Sequence, residues 1–129
     1  MQPELEQMRS GKLYDFDDPE IYASLNHAKK ACLKLNTMTL SSPGYREALR
    51  DLVPGIPDSS SICPPFHCDH GNGIRMGENS FINYNCTLLD VGKITIGDNC
   101  MLAPNVAIYT AGHPLHPDSR NSGYEYGMD

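Results

Sequence analysis

From Met76 to His113 the sequence repeats every six residues. The hexads open at Met76, Ile82 and Leu88 and, after two extra residues, Ile94-Thr95, at Ile96, Leu102 and Ile108. Position one is always Met or a branched aliphatic. Position five is small or modest: Ser80, Cys86, Gly92, Cys100, Val106 and Gly112. Position four is Asn in four of the six hexads, at Asn79, Asn85, Asn99 and Asn105, and Asn tolerates the left-handed backbone of a sharp corner. A period of six is too short for a helix pair and wrong for an amphipathic helix. It fits a short strand plus a turn, three of which make one triangular coil of a parallel β-helix. Position one then points into the prism, and position five is small because it packs near the corner. Ordinary short strands joined by Gly/Asn turns are the alternative, and six consecutive matches weigh against it. Ile94-Thr95 is expected to form a small bulge at a corner.

Other features narrow the class. The 129 residues carry a net charge of −6, which argues against nucleic acid or an anionic membrane surface as partner. No apolar run approaches the roughly 20 residues that span a bilayer. Met1 opens onto Gln, Pro and Glu, unlike a signal or transit peptide. Five cysteines without framework spacing read as reduced thiols in a cytoplasm. Cys86 and Cys100, at position five, are expected to be buried as small hydrophobes.

Three segments follow: a helical segment over 1–55, an extended linker over 56–73, and coils over 74–129 with a loop of functional character at 112–127. A short helix is expected in the first residues. Asp17-Asp18-Pro19-Glu20 is a helix start, with Asp at the cap and Pro in the first turn. Ile21, Leu25, Ala28, Cys32 and Leu35 then form one apolar stripe. Ser41-Ser42-Pro43 opens a second helix carrying Tyr45, Leu49, Leu52 and Val53, and Pro54-Gly55 stops it. Two such stripes must pack together and against the prism. Pro64-Pro65 keeps the chain extended before the coils.

His113 is the first candidate for chemistry. It ends the sixth hexad, before Pro114, where the regular coil should break into a loop, and a neutral imidazole there suits removal of a hydroxyl proton near neutral pH. A solvent-facing loop histidine is the plain alternative. Cys63, His67, Cys68 and His70 form a soft-ligand cluster, but the spacing is not that of a zinc finger or ribbon, and alternate side chains of an extended segment face opposite ways. No metal is expected. Gly71-Asn72-Gly73 has no helix after it and is not a dinucleotide loop. Asn83, Asn85 and Asp90 read by default as corner or outward residues. His116, Asp118, Arg120, Asn121 and Glu125 make the last loop rich in polar chemistry.

Gly11-Lys12-Leu13-Tyr14-Asp15, Asp18-Pro19-Glu20, Pro64-Pro65-Phe66-His67-Cys68-Asp69-His70-Gly71, Thr95-Ile96-Gly97-Asp98-Asn99, Gly112-His113-Pro114 and Arg120-Asn121-Ser122-Gly123-Tyr124-Glu125-Tyr126-Gly127 together resemble the maltose/galactoside O-acetyltransferase family. The resemblance covers essentially the whole chain. It implies a left-handed coil, a soluble cytoplasmic homotrimer with sites between prisms, and acetyl transfer from acetyl-CoA to a sugar hydroxyl without metal. His113 matches the family's catalytic histidine. Asn83 matches a sugar-binding position, and Asp15 or Asp17 matches an acidic one in the N-terminal segment. Asp69 falls where relatives also carry Ser, and Asp90 where an aspartate touches the sugar. Carboxylates and amides suit vicinal hydroxyls. Glu125, from its place in the loop, is read as a partner orienting His113.

The family continues with further coils that carry most acetyl-CoA contacts, so no cofactor residue is assigned, and the chain is expected to be truncated at its C-terminus. That leaves a second reading, a non-catalytic trimerising or sugar-binding scaffold. A zinc hydratase on the same prism would need three convergent histidines from adjacent coils, whereas His113 and His116 share one loop.

Overall fold

The computed structural model describes residues 4–9, 14–15, 18–112 and 124–127. Helix α1 spans Glu4–Arg9 and strand β1 Tyr14–Asp15. Helix α2 runs over Pro19–Leu35. The Asp18 side chain caps it, accepting from the backbone N–H of Glu20 at 3.0 Å and of Ile21 at 3.4 Å, with Pro19 supplying a first turn that needs no donor. Its buried stripe is Ile21, Ala28, Ala31, Cys32 and Leu35. Helix α3 spans Tyr45–Leu52, later than Ser41-Ser42-Pro43 implied. Gly44, at φ 82°, occupies the cap without a side-chain bond. Ser42 is spent on a turn before it, accepting from the Thr39 N–H at 2.9 Å. The helix stops before Pro54, which holds Val53 at φ −124°, ψ 81°.

Strands β2 (Ser61–Ile62), β5 (Phe81–Ile82) and β8 (Met101–Leu102) form one parallel ladder. Strands β3 (Phe66–Cys68), β6 (Cys86–Leu89) and β9 (Ala107–Tyr109) form a second. Strands β4 (Ile74–Met76) and β7 (Ile94–Ile96) form a third. Ser61 pairs with Phe81 and Phe81 with Met101, so one coil is 20 residues. The inner residues Ile62, Phe66, Ile74, Ile82, Cys86 and Leu88 are fully buried and share one core with Leu35, Leu49, Leu52 and Val53 of the helical segment. Each such side chain stabilises by about 1.5–3 kcal/mol when taken out of water.

Two expectations shift. The stretch 56–73 is extended, but its strands β2 and β3 pair as the first coil rather than leading to it. Ile94 and Thr95 do not bulge: both lie in β7, opposite Ile74 and Arg75. The surplus length recurs in both coils at the wide corner, over 69–73 and 89–93. A six-residue pattern locates an insertion only to within a hexad, and the wide corner lacks the regular aliphatic that would mark the frame.

Asn79, Asn85, Asn99 and Asn105 all adopt positive φ, at 55°, 59°, 55° and 67°, as the position-four pattern requires. Cys86 is fully buried, its thiol donating to the Ala103 carbonyl at 3.2 Å. Cys100 is exposed, contrary to expectation. It precedes β8, on which no further strand stacks among the described residues, and Met101 and Tyr109 of the same coil are exposed as well.

The helical segment closes the other end of the prism. A first coil leaves unpaired backbone groups on each face, and each face receives a different substitute. On β2 the Tyr45 hydroxyl accepts from the Ile62 N–H at 3.0 Å and donates to the Ile62 carbonyl. On β3 the Asn36 amide donates to the Phe66 carbonyl at 2.9 Å and accepts its N–H at 2.8 Å. On β4 the Gly55 carbonyl accepts from the Met76 N–H at 3.1 Å. Gly55 has no substitute there, because a Cβ would stand 2.6 Å from the Ile74 carbonyl oxygen.

Candidate functional site

The residues singled out for chemistry fall into two groups on the prism. Strand β11 (Tyr124–Gly127) lies between β1 and β10 (Ala111–Gly112), antiparallel to both. Tyr14 pairs with Glu125 and Asp15 with Tyr124 on one side, and Gly112 pairs with Tyr126 on the other. Asp15, Glu125 and Gly112, which immediately precedes His113, are thus carried on one three-stranded sheet from three distant parts of the chain. His113 and Asp17 themselves lie outside the described residues, as do His116, Asp118, Arg120 and Asn121.

Strand β10 reaches this sheet from the wide corner, which is rigidly built. Asp90 is fully buried. Its carboxylate accepts from the backbone N–H of His70 at 2.8 Å and of Gly73 at 2.9 Å, and lies 3.9 Å from the Arg9 guanidinium. Arg9 also donates to the carbonyls of Asp90 and Val91 and to the Asn72 side chain. One coil on, the Thr110 hydroxyl accepts from the Gly92 N–H at 2.8 Å and donates to the Leu89 carbonyl at 2.5 Å. Thr110 thus repeats the brace of Asp90 and leads directly into β10.

This placement sets Asp90 in the frame of the corner, whereas the resemblance put it on the acceptor. Both of its oxygens are engaged by backbone and Arg9, and none of its surface is open to a sugar. Asp69, at the same corner, is half-buried. Asn83 is also half-buried, its Oδ1 accepting from the Tyr84 N–H at 2.8 Å. It sits between β5 and β6, at a different corner of the prism from Asp69 and β10.

The soft-ligand cluster disperses. His67 is exposed, Cys63 is buried, Cys68 contacts Cys32, and His70 is buried with Nδ1 2.7 Å from the Ser24 hydroxyl. Among the described residues no group of three or more His, Cys, Asp or Glu could hold a metal ion. Burial drives the His70 imidazole down to about 4; the Asp90 carboxylate opposes this and the Arg9 guanidinium adds to it. Arg9 and Ser24, which with His70 tie α1 and α2 to the wide corner, were not marked by sequence reasoning, and His70 was marked only as a member of the soft-ligand cluster and of the Pro64–Gly71 motif. The one available signal was the 20-residue offset that stacks His70 under Asp90 and Thr110. No helix among the described residues is long and apolar enough to cross a membrane.

Parallel coils built from six-residue repeats and closed by an N-terminal helical cap define the hexapeptide-repeat class of proteins. Residues 7–54 match the maltose acetyltransferase hexapeptide capping motif, the segment that carries the Asn36, Tyr45 and Ser24 contacts. The chain is similar to a maltose O-acetyltransferase from Clostridium difficile 630, at 42% identity and a TM-score of 0.91, over 98% of this chain and 68% of that one. It is 42% identical to nodulation protein L of Rhizobium meliloti, over 95% of this chain and 67% of that protein. A hexapeptide-repeat acetyltransferase from Vibrio cholerae, solved with acetyl coenzyme A, is 34% identical with a TM-score of 0.85, over 98% of this chain and 68% of that one. The chain belongs to the maltose/galactoside O-acetyltransferase family, a family of acyl-transferring enzymes. It spans about two thirds of the length of these relatives.

Proposed function

We propose that the chain acts as an acetyl-CoA-dependent O-acetyltransferase on a hydroxyl of a maltose-, glucose- or galactoside-type sugar, in the cytoplasm. The observation that carries this reading is the β1–β11–β10 sheet, which puts Glu125 on the strand beside the residue before His113 and Asp15 on the strand beyond it. In this mechanism the His113 imidazole takes the proton of the acceptor hydroxyl as its oxygen attacks the thioester carbonyl. The new ester forms as the carbon–sulfur bond breaks, and the imidazolium returns its proton to the departing thiolate, with no covalent enzyme intermediate. Glu125 holds the imidazole in the tautomer that accepts at the reacting nitrogen. Asp15 and Asp17, with Asp69 and Asn83, hold neighbouring sugar hydroxyls.

Asn83 lies at a different corner from the sheet that holds Asp15 and Glu125, so one copy of a convex prism does not offer both to one sugar. This supports sites shared between adjacent prisms, in an assembly proposed as a homotrimer of left-handed coils. Acetyl-CoA is assigned to no residue described here.

The test is acceptor-dependent release of thiol from acetyl-CoA, with glucosides, galactosides and maltose, for the wild type and for His113→Ala. Turnover lost in the variant supports the reading. A folded trimer that binds sugar but neither binds nor cleaves acetyl-CoA sinks it. That result would favour a non-catalytic trimerising or sugar-binding scaffold, a reading supported by the exposed Met101 and Tyr109 of the last coil.

A further inference from the structure

Cys32 on α2 and Cys68 on β3 place their sulfurs 3.8 Å apart. The pair is held in register from one helical turn away. Asn36 grips the Phe66 backbone at both its N–H and its carbonyl, so α2 cannot slide along β3 without breaking two buried bonds. Disulfide sulfurs stand about 2 Å apart, so the bond forms when the two side chains close the remaining distance. Cys63, Cys86 and Cys100 are free thiols, and Cys86 is turned toward the Ala103 carbonyl.

The pair is also reachable. Cys32 and Cys68 line a cavity of about 230 Å³ together with Lys29, Leu33, Asn36 and His67. Cys68 is half-buried, Cys32 is 8% exposed and His67 is exposed. A small neutral oxidant fits this space. Either sulfur can donate across this contact, so either thiol can attack and the other resolve.

We propose that Cys32 and Cys68 are a peroxide-sensitive dithiol whose oxidation cross-links the helical cap to the first coil. The thiolate of one cysteine attacks hydrogen peroxide, the O–O bond breaks, and that sulfur becomes a sulfenic acid with release of hydroxide, which takes up the proton the thiol had lost and leaves as water. The sulfur of the other cysteine then attacks the sulfenic sulfur, forming the S–S bond, and the displaced oxygen leaves with the second thiol's proton as another water. Two thiols are oxidised by two electrons and one peroxide is reduced. This device is independent of acetyl transfer.

The full chain is treated with hydrogen peroxide, quenched, and mapped by mass spectrometry without reduction. The proposal expects a loss of about 2 Da, a linked pair of peptides containing Cys32 and Cys68, reversal by dithiothreitol, and a melting midpoint raised by several degrees. Cys68→Ser removes the link and leaves Cys32 to over-oxidise; Cys68→Ala serves if the serine variant is unfolded by circular dichroism. Oxidation confined to Cys100, or a Cys32–Cys68 link that forms only in denaturant, overturns the proposal.

Discussion

The Asn36 side chain satisfies both backbone groups of Phe66, donating to its carbonyl at 2.9 Å and accepting its N–H at 2.8 Å. An amide carries a separate donor and acceptor and so can copy the donor–acceptor pair of a neighbouring strand. It does so on β3, while a tyrosine hydroxyl and a glycine carbonyl serve the other two faces. The helical segment is therefore an end cap, made of three unlike pieces fitted to three like faces.

Replacing Asn36 by Leu leaves two backbone groups of the first coil without partners. Each unsatisfied buried group costs about 1–3 kcal/mol, so Asn36→Leu is expected to destabilise by about 2–5 kcal/mol in urea titration. Asn36→Asp keeps the acceptor and loses the donor, and is expected to fall between. Equal stability of all three would show that α2 docks by apolar burial alone.

Asp90 gives a cleaner division between structure and binding. Removing one partner of a buried charged pair costs about 3–5 kcal/mol, so Asp90→Ala is expected to lower the melting midpoint strongly. Asp90→Asn keeps one acceptor and is expected to be milder. In the Asn variant, acceptor KM is expected to stay within about twofold of wild type, since a contact worth less than half a kcal/mol is no contact. A large rise in KM with unchanged melting would return Asp90 to the sugar site.

The repeat was legible because its constraints are local. Four asparagines at position four became the four positive-φ corners, and position-one aliphatics filled the prism. The Asp18-Pro19 helix start was legible for the same reason. What the sequence hid was non-local. Asp90 and Asn83 look alike as polar residues between aliphatics, yet one braces a buried corner and the other sits half-open at a different one. Asn36 and Tyr45 carry no mark of the strand edges they complete 30 and 17 residues away. Equally, the sheet joining Asp15, Glu125 and Gly112 depends on pairing between the two ends of the chain, which no local pattern encodes.

Stability should fall in mild acid through His70. Its ordinary value is 6.5, and burial brings it to about 4 in the folded protein. Between these values the unfolded chain takes up a proton that the folded chain refuses. The contribution is complete above pH 6.5 and is lost as the pH falls toward 4, by about 3 kcal/mol at most. Urea midpoints at pH 7, 5.5 and 4.5 for wild type and His70→Gln measure this. The wild type is expected to lose more over that interval, because carboxylate effects are common to both. Parallel curves would remove His70 as the cause.

Glu125 stands in register with Tyr14 and one residue from Tyr126, the partner of Gly112, and under the proposed mechanism it is a positioning residue for His113 rather than a group that touches the acceptor. Loss of general-base catalysis costs about 10²–10⁴ in rate, the expected range for His113→Ala. Glu125→Gln retains the size and an acceptor but removes the charge, and is expected to lower kcat by about tenfold with acceptor KM little changed. A carboxylate beside an imidazole favours the imidazolium, so its loss should move the acid limb of kcat/KM to lower pH. Glu125→Asp, keeping the charge, should hold that limb in place even where kcat falls. An acceptor KM that rises while kcat and the pH profile stay fixed would instead put Glu125 on the sugar, and unchanged kinetics would remove it from the site.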